Sequence, residues 1–210
     1  MNNMINDFLR KYKRSPVTII LICACIGIYV LSFFMFGEEM NAYEGLLFGG
    51  YNPVYIQLTH EYFRLISANF IHFGILHLAV NCYSLYGIGA FIENSLGLKK
   101  YIILIVASTL STTGLPYLFY LLTGYEANVV SGGISGVIFG LIGALAALAM
   151  HYRYIYMDIF KQLAPNLILM LVISFIIPSI SLSGHLAGLI GGFVCTYILL
   201  CFKQKEHLIH

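Results

Sequence analysis

Six apolar helices set side by side across a membrane, an all-α polytopic protein, are the fold this sequence predicts. Three observations predict it. The 210 residues are 60% hydrophobic and only 10% charged, where a soluble domain carries roughly 25% charged residues. The apolar residues gather into six runs, each approximating the ~20 residues that a bilayer core demands. Ten of the eleven Lys and Arg residues fall on one side of a six-span layout, which is the asymmetry that membrane insertion imposes on basic loops.

In chain order, residues 1–16 are a polar segment with Arg10, Lys11, Lys13 and Arg14. The first span covers 17–36. It follows basic residues as a signal peptide would, but it exceeds a typical apolar core of about 7–15 residues and no small-residue cleavage site follows, so it reads as a retained span. Residues 37–67 form a long loop that mixes Glu38, Glu39, Glu44, Glu61 and Arg64 with Leu46, Leu47, Phe48, Tyr51 and Tyr55. That mixture predicts a loop partly sunk in the membrane surface. The second span covers 69–92, the third 101–122 with Pro116 near its far end, the fourth 134–150, the fifth 163–177 and the sixth 184–202. The fourth and fifth are short, which suggests that one end of each lies within the membrane. A polar connector is expected over 151–161, a break over 178–183 and a tail over 203–210.

The layout puts the N-terminus, the 93–100 and 151–161 connectors and the C-terminus together with the ten basic residues; only Arg64 lies opposite. The expected location is therefore the cell membrane, multi-pass, with both termini cytoplasmic. The net charge of +2 and the lack of any basic run interleaved with aromatics argue against nucleic acid as a partner. Cys23, Cys25, Cys82, Cys195 and Cys201 all fall in apolar runs at spacings that fit neither a disulfide framework nor a zinc site; they read as small buried hydrophobes.

Chemistry concentrates in two glycine-rich stretches. Ser135 stands in Gly133-Ile134-Ser135-Gly136, and no charge lies between Glu126 and Arg153. His185 stands in Ser183-Gly184-His185-Leu186-Ala187-Gly188. Ser135 precedes Arg153 by 18 residues and His185 precedes Lys203 by 18, about 27 Å each along a helix. Both helices run outside to inside, so the two side chains share a level near the outer edge of the core. Gly132, Gly136 and Gly140 on one helix and Gly184, Gly188 and Gly192 on the other repeat every four residues. Such stripes let backbones approach closely. A serine becomes a nucleophile when a base takes its proton, and histidine suits that task near neutral pH. The acidic residues all lie in loops or at the opposite border, so a Ser135–His185 dyad rather than a triad is expected. Phe139, one turn beyond Ser135, is placed to stack on the imidazole and hold it.

Acyl transfer also requires donors for the developing oxyanion. His77 and Asn81, four residues apart on the second span, share a face and can donate. His72 lies five residues before His77 and more plausibly fixes the outer loop. His72, His77 and His185 could in principle bind zinc, but no H-E-x-x-H motif or neighbouring carboxylate accompanies them. No metal and no cofactor is therefore expected. A transporter or channel would place polar groups deep in several helices near the midplane, whereas the polar cluster here sits near one surface.

At this point the sequence resembles the rhomboid intramembrane serine proteases. Rhomboids carry H-x4-H-x3-N in the second span, matched by His72, His77 and Asn81. They carry G-x-S-G at the start of the fourth, matched by Gly133, Ser135 and Gly136. They carry a histidine followed by glycines three and seven residues on in the sixth, matched by His185, Gly188 and Gly192. The resemblance runs from the first span to the sixth and implies a rhomboid peptidase domain over 17–202 in a compact six-helix bundle, the minimal bacterial form. It implies that Ser135 attacks a peptide bond with His185 as base and then acid, while His77, Asn81 and the backbone N–H of Ser135 hold the oxyanion. The implied partners are the lipid bilayer and membrane-anchored protein substrates, cut at small residues within or beside a helix-destabilised segment and admitted by movement of the fifth helix and the 178–183 cap. A catalytically dead member that only binds clients would usually lack the serine or the histidine. Two departures stand out: Phe63-Arg64 replaces the usual Trp-Arg of the outer loop, and Phe139 stands where tyrosine is common.

Overall fold

The computed structural model describes residues 15–176 and 181–206, and every regular element among them is helical. The chain order is α1 (Pro16–Phe36), three short helices α2 (Ala42–Leu47), α3 (Pro53–Thr59) and α4 (Arg64–Ser67), then α5 (Ile75–Leu96), α6 (Leu98–Thr123), α7 (Ser135–His151), α8 (Arg153–Ile176) and α9 (Leu182–Glu206). Five of these are long and apolar enough to cross a membrane, and α7 is a shorter apolar helix. With the expected charge partition, this is a multi-pass helical bundle.

The shortest span is the central one. In α7, nearly every side chain from Gly136 to Ala149 is buried, which is the signature of a helix apolar on all faces and surrounded by others. It packs chiefly on α9, α8 and α6. Contact with α9 is close because it runs backbone to backbone. A Cβ on Gly188 would strike the carbonyl of Gly136, and one on Gly192 would strike that of Gly140. Gly136 itself is pressed by the Thr112 side chain of α6, and Gly140 by that of Ser108. Gly136 and Gly140 thus meet Gly188 and Gly192 where these two helices join, while two glycines of the expected stripes lie elsewhere. Gly184 faces Ser181 and the Thr112 carbonyl of α6. Gly132 precedes α7 and packs on the carbonyls of Ile71 and Ala68 in the outer loop.

At the opposite end of the bundle, α1 starts against α5. The first N–H groups of a helix have no intrahelical acceptor. Here Glu93, 2% exposed, supplies one from another helix. Its carboxylate accepts from Val17 N at 3.0 Å, Thr18 N at 2.8 Å and Thr18 Oγ1 at 2.7 Å. Thr18 Oγ1 also lies 3.0 Å from the Tyr101 hydroxyl of α6. Pro16 opens the helix at a position that needs no N–H donor.

The 37–67 loop is folded. Asn41 and Glu44 form a capping box on α2, and Asn52 caps α3 ahead of Pro53. Arg64, 3% exposed, ties these pieces together. It donates to the carbonyls of Leu46 (2.6 Å) and Gly50 (3.0 Å), pairs with Glu61 (2.6 Å) and lies over the Tyr55 ring. Phe63 is largely exposed, its ring centroid 5.5 Å from the Arg64 guanidinium.

Several expected boundaries differ. The second span begins at Ile75 rather than 69, because residues 64–70 form a turn of their own and extended Gly74 starts the new helix. The fifth is not short: α8 has 24 residues and takes in most of the 151–161 connector. Its polar residues carry no glycine or proline before Pro165, so nothing interrupts the helix. Cys23 and Cys201 are exposed, whereas Cys25 is buried; the two outward thiols lie on the bundle surface. Of the 178–183 cap, residues 178–180 lie outside the described residues, as do 1–14 and 207–210.

Candidate active site

The chain reaches Ser135 through a tightly held approach. Ser131 and Tyr51 exchange two backbone hydrogen bonds, at 2.8 and 3.0 Å. Gly133 donates its N–H to Ala68 O at 2.9 Å and adopts φ +115°, which side-chain-bearing residues rarely enter. A Cβ there would also meet the His77 ring at 2.8 Å and approach Asn81 Nδ2 at 3.5 Å. Glycine at 133 therefore does two things: it turns the chain, and it brings the backbone against both donors of α5. Ser135 then opens α7, so its hydroxyl and N–H lie at the positive end of a helix.

Ser135 Oγ lies 2.8 Å from His185 Nε2. The imidazole is 6% exposed and stacks on Phe139, with ring centroids 4.3 Å apart and planes 17° from parallel. Gly188, one turn after His185, lets α9 come close enough for this reach. Asn81 is buried, and its Nδ2 has no hydrogen-bond partner among the described residues. The ring of His77 meets that of His72 edge-on at 5.0 Å. His72 stands in the turn before α5, its Nδ1 3.1 Å from Phe70 O. Burial, and next the neighbouring His77, lower its pKa from 6.5 to about 4. A cavity of about 60 Å³ lies between these groups, with His77, Gly133, Ser135 and His185 in its walls and Tyr51 and Ser131 at its loop side.

The structure thus gathers Ser135, His185, His77, Asn81, Phe139, Gly133, Gly136 and Gly188 about one point. His72 sits behind His77. Thr112 was missed in the sequence. It lines the cavity and fills the space beside Gly136 and Gly188. The signal for it existed: Ser111-Thr112-Thr113 is a polar triplet inside an apolar span. Among the described residues, no cluster of three His, Cys, Asp or Glu side chains could hold a metal ion.

The Rhomboid domain family model matches residues 59–202, more than half of the chain. The chain belongs to the rhomboid family. Among its relatives are the rhomboid protease GlpG of Haemophilus influenzae, 26% identical over 129 residues that cover 60% of this chain and 58% of the relative. The rhomboid protease GlpG of Salmonella choleraesuis is 28% identical over 131 residues, covering 60% of this chain and 41% of the relative. The chain thus spans 58% or less of the length of these curated relatives. The matched region holds every residue of this rhomboid's cavity wall except Tyr51, whose backbone is paired to Ser131.

Proposed function

We propose that this rhomboid is an intramembrane serine endopeptidase that cleaves membrane-anchored proteins within or next to their transmembrane segments. The observation that carries the reading is the 2.8 Å contact of Ser135 Oγ with His185 Nε2. Ser135 Oγ attacks the scissile carbonyl carbon as its proton passes to Nε2. The new oxyanion is met by the N–H of Ser135 and by the side chains of His77 and Asn81, fixed dipoles in a water-poor site. When the C–N bond breaks, the imidazolium returns the proton to the leaving amine. Water, deprotonated by the same nitrogen, then releases the acyl group from Ser135. Phe139 holds the ring plane by stacking, a role that a carboxylate serves in a triad.

The size of the cavity, about 60 Å³ with Gly133 and Thr112 in its wall, argues for small side chains at the cut. Cleavage requires an extended backbone at the scissile bond, so segments whose helix is easily unwound are favoured. The charge partition supports residence in the cell membrane with both termini cytoplasmic, which places the dyad toward the outer face. The test is cleavage of a single-span substrate in liposomes, wild type against Ser135→Ala, with fluorophosphonate labelling of Ser135 in parallel. Wild-type cleavage and labelling that both vanish in the variant are expected. A folded wild type that neither cleaves nor labels would end the reading.

A further inference from the structure

We propose that Glu126 is a positioning residue for this reaction, holding the first turn of α9, and through it the His185 ring, to the loop that leads into Ser135. The proposal rests on the protease reading above. Helix α9 begins at Leu182, and its first N–H groups need acceptors from outside the helix. Ser181 supplies one: its hydroxyl accepts from Gly184 N at 3.0 Å, while its carbonyl accepts from His185 N at 3.1 Å. Ser181 Oγ lies 3.2 Å from Ser183 Oγ, and Ser183 Oγ donates to the Glu126 carboxylate. The donors run in one direction. Because Ser181 Oγ accepts from Gly184, its own proton is available to Ser183, whose proton goes to Glu126. Bonds in such a chain polarise one another, and a negative charge at its end suits the N-terminus of a helix.

The carboxylate stands on a braced arm. Glu126 adopts φ +59°, a conformation that residues with side chains seldom take and that persists only where surroundings impose it. Its carbonyl accepts from Val129 N at 3.1 Å. Asn52 Nδ2 donates to Ala127 O at 3.1 Å and to Val129 O at 2.9 Å, pinning the turn to the start of α3. Two residues beyond Val129, Ser131 pairs with Tyr51, and the chain enters Gly133 and Ser135. One bonded path therefore links the approach to the nucleophile with the turn that carries the base. A displacement of about 1 Å between reacting groups is enough to slow a reaction by orders of magnitude.

The test uses the full chain in liposomes with a single-span substrate, comparing Glu126→Ala, Glu126→Gln, Ser183→Ala, the Glu126→Ala/Ser183→Ala double variant and Ser135→Ala. Rates against substrate concentration separate kcat from KM, and melting in detergent micelles reports the fold. Glu126→Ala should lower kcat on the order of tenfold, the factor that one hydrogen bond to a charged group carries, with KM and Tm near wild type. Ser183→Ala should do the same, and the double variant should be no slower than the slower single one. Glu126→Gln, which keeps an accepting oxygen, should recover most of the rate. A wild-type kcat in folded Glu126→Ala, or losses that multiply in the double variant, would overturn the assignment. So would a lowered Tm with kcat per folded molecule unchanged. Ser135→Ala cleaving as fast as wild type would instead remove the protease reading itself.

Discussion

The two ends of the bundle each bury polar groups, and they treat them in opposite ways. Where α1 begins, the Glu93 carboxylate accepts three hydrogen bonds and Thr18 also meets Tyr101. Where α7 begins, Asn81 Nδ2 and His72 Nε2 are buried without a partner among the described residues. A cavity opens beside the Ser135–His185 pair. Satisfied buried networks stabilise; unsatisfied polar groups are costly and persist at sites of function. The first end is a clasp; at the second, on the protease reading proposed above, Asn81 would meet charge that appears only during reaction.

Changes at the two ends should accordingly fail in different ways. The largest effect is expected at the dyad. Ser135→Ala and His185→Ala should each lower kcat by on the order of 10⁴ or more, and the double variant should lose no more if the pair acts as the proposed unit. Losses that multiply would mean that the two side chains act separately. Next comes Asn81→Ala. Removing one oxyanion donor costs about 10²–10³ in kcat, while Tm should hold or rise, because an unpartnered buried donor is deleted. A large fall in Tm with kcat retained would make Asn81 a structural residue and blur the contrast.

Glu93→Ala should reverse that pattern. It strands the N–H groups of Val17 and Thr18 and leaves the Thr18 hydroxyl with Tyr101 alone, an expected loss of about 2–4 kcal/mol in denaturant titrations, with kcat per folded molecule unchanged. The smallest effect is a pH dependence. The pKa of His72 is depressed by burial to about 4 against 6.5 unfolded, so the unfolded chain binds the extra proton first. Its contribution to stability is complete above pH 6.5 and declines as pH falls toward 4. Melting curves across that window should flatten in His72→Gln relative to wild type.

Much of this was legible in the residues. Hydropathy is a local property, so six spans could be placed. Helical rise is constant, so Ser135 and His185 could be set at one depth. Stacking by Phe139 followed from the spacing of one turn. Boundaries were less legible. Helix α8 extends through charged residues because charge at a helix end does not break it, and α5 starts late because a separate turn intervenes at 64–70. His72 accordingly sits in a turn rather than on the helix that carries His77.

The chain's own order of residues established the membrane class, the count of spans, the level shared by serine and histidine, and the pairing of the glycine-striped helices. Folding in three dimensions decided which groups meet across long separations: Glu93 with the start of α1, Thr112 between Gly136 and Gly188, His77 and Asn81 against Gly133, and Glu126 on Ser183. The division has a physical cause. Hydropathy and helical periodicity act between neighbours in sequence, whereas hydrogen bonds and close packing depend on the few ångströms that separate side chains brought together from distant parts of the chain.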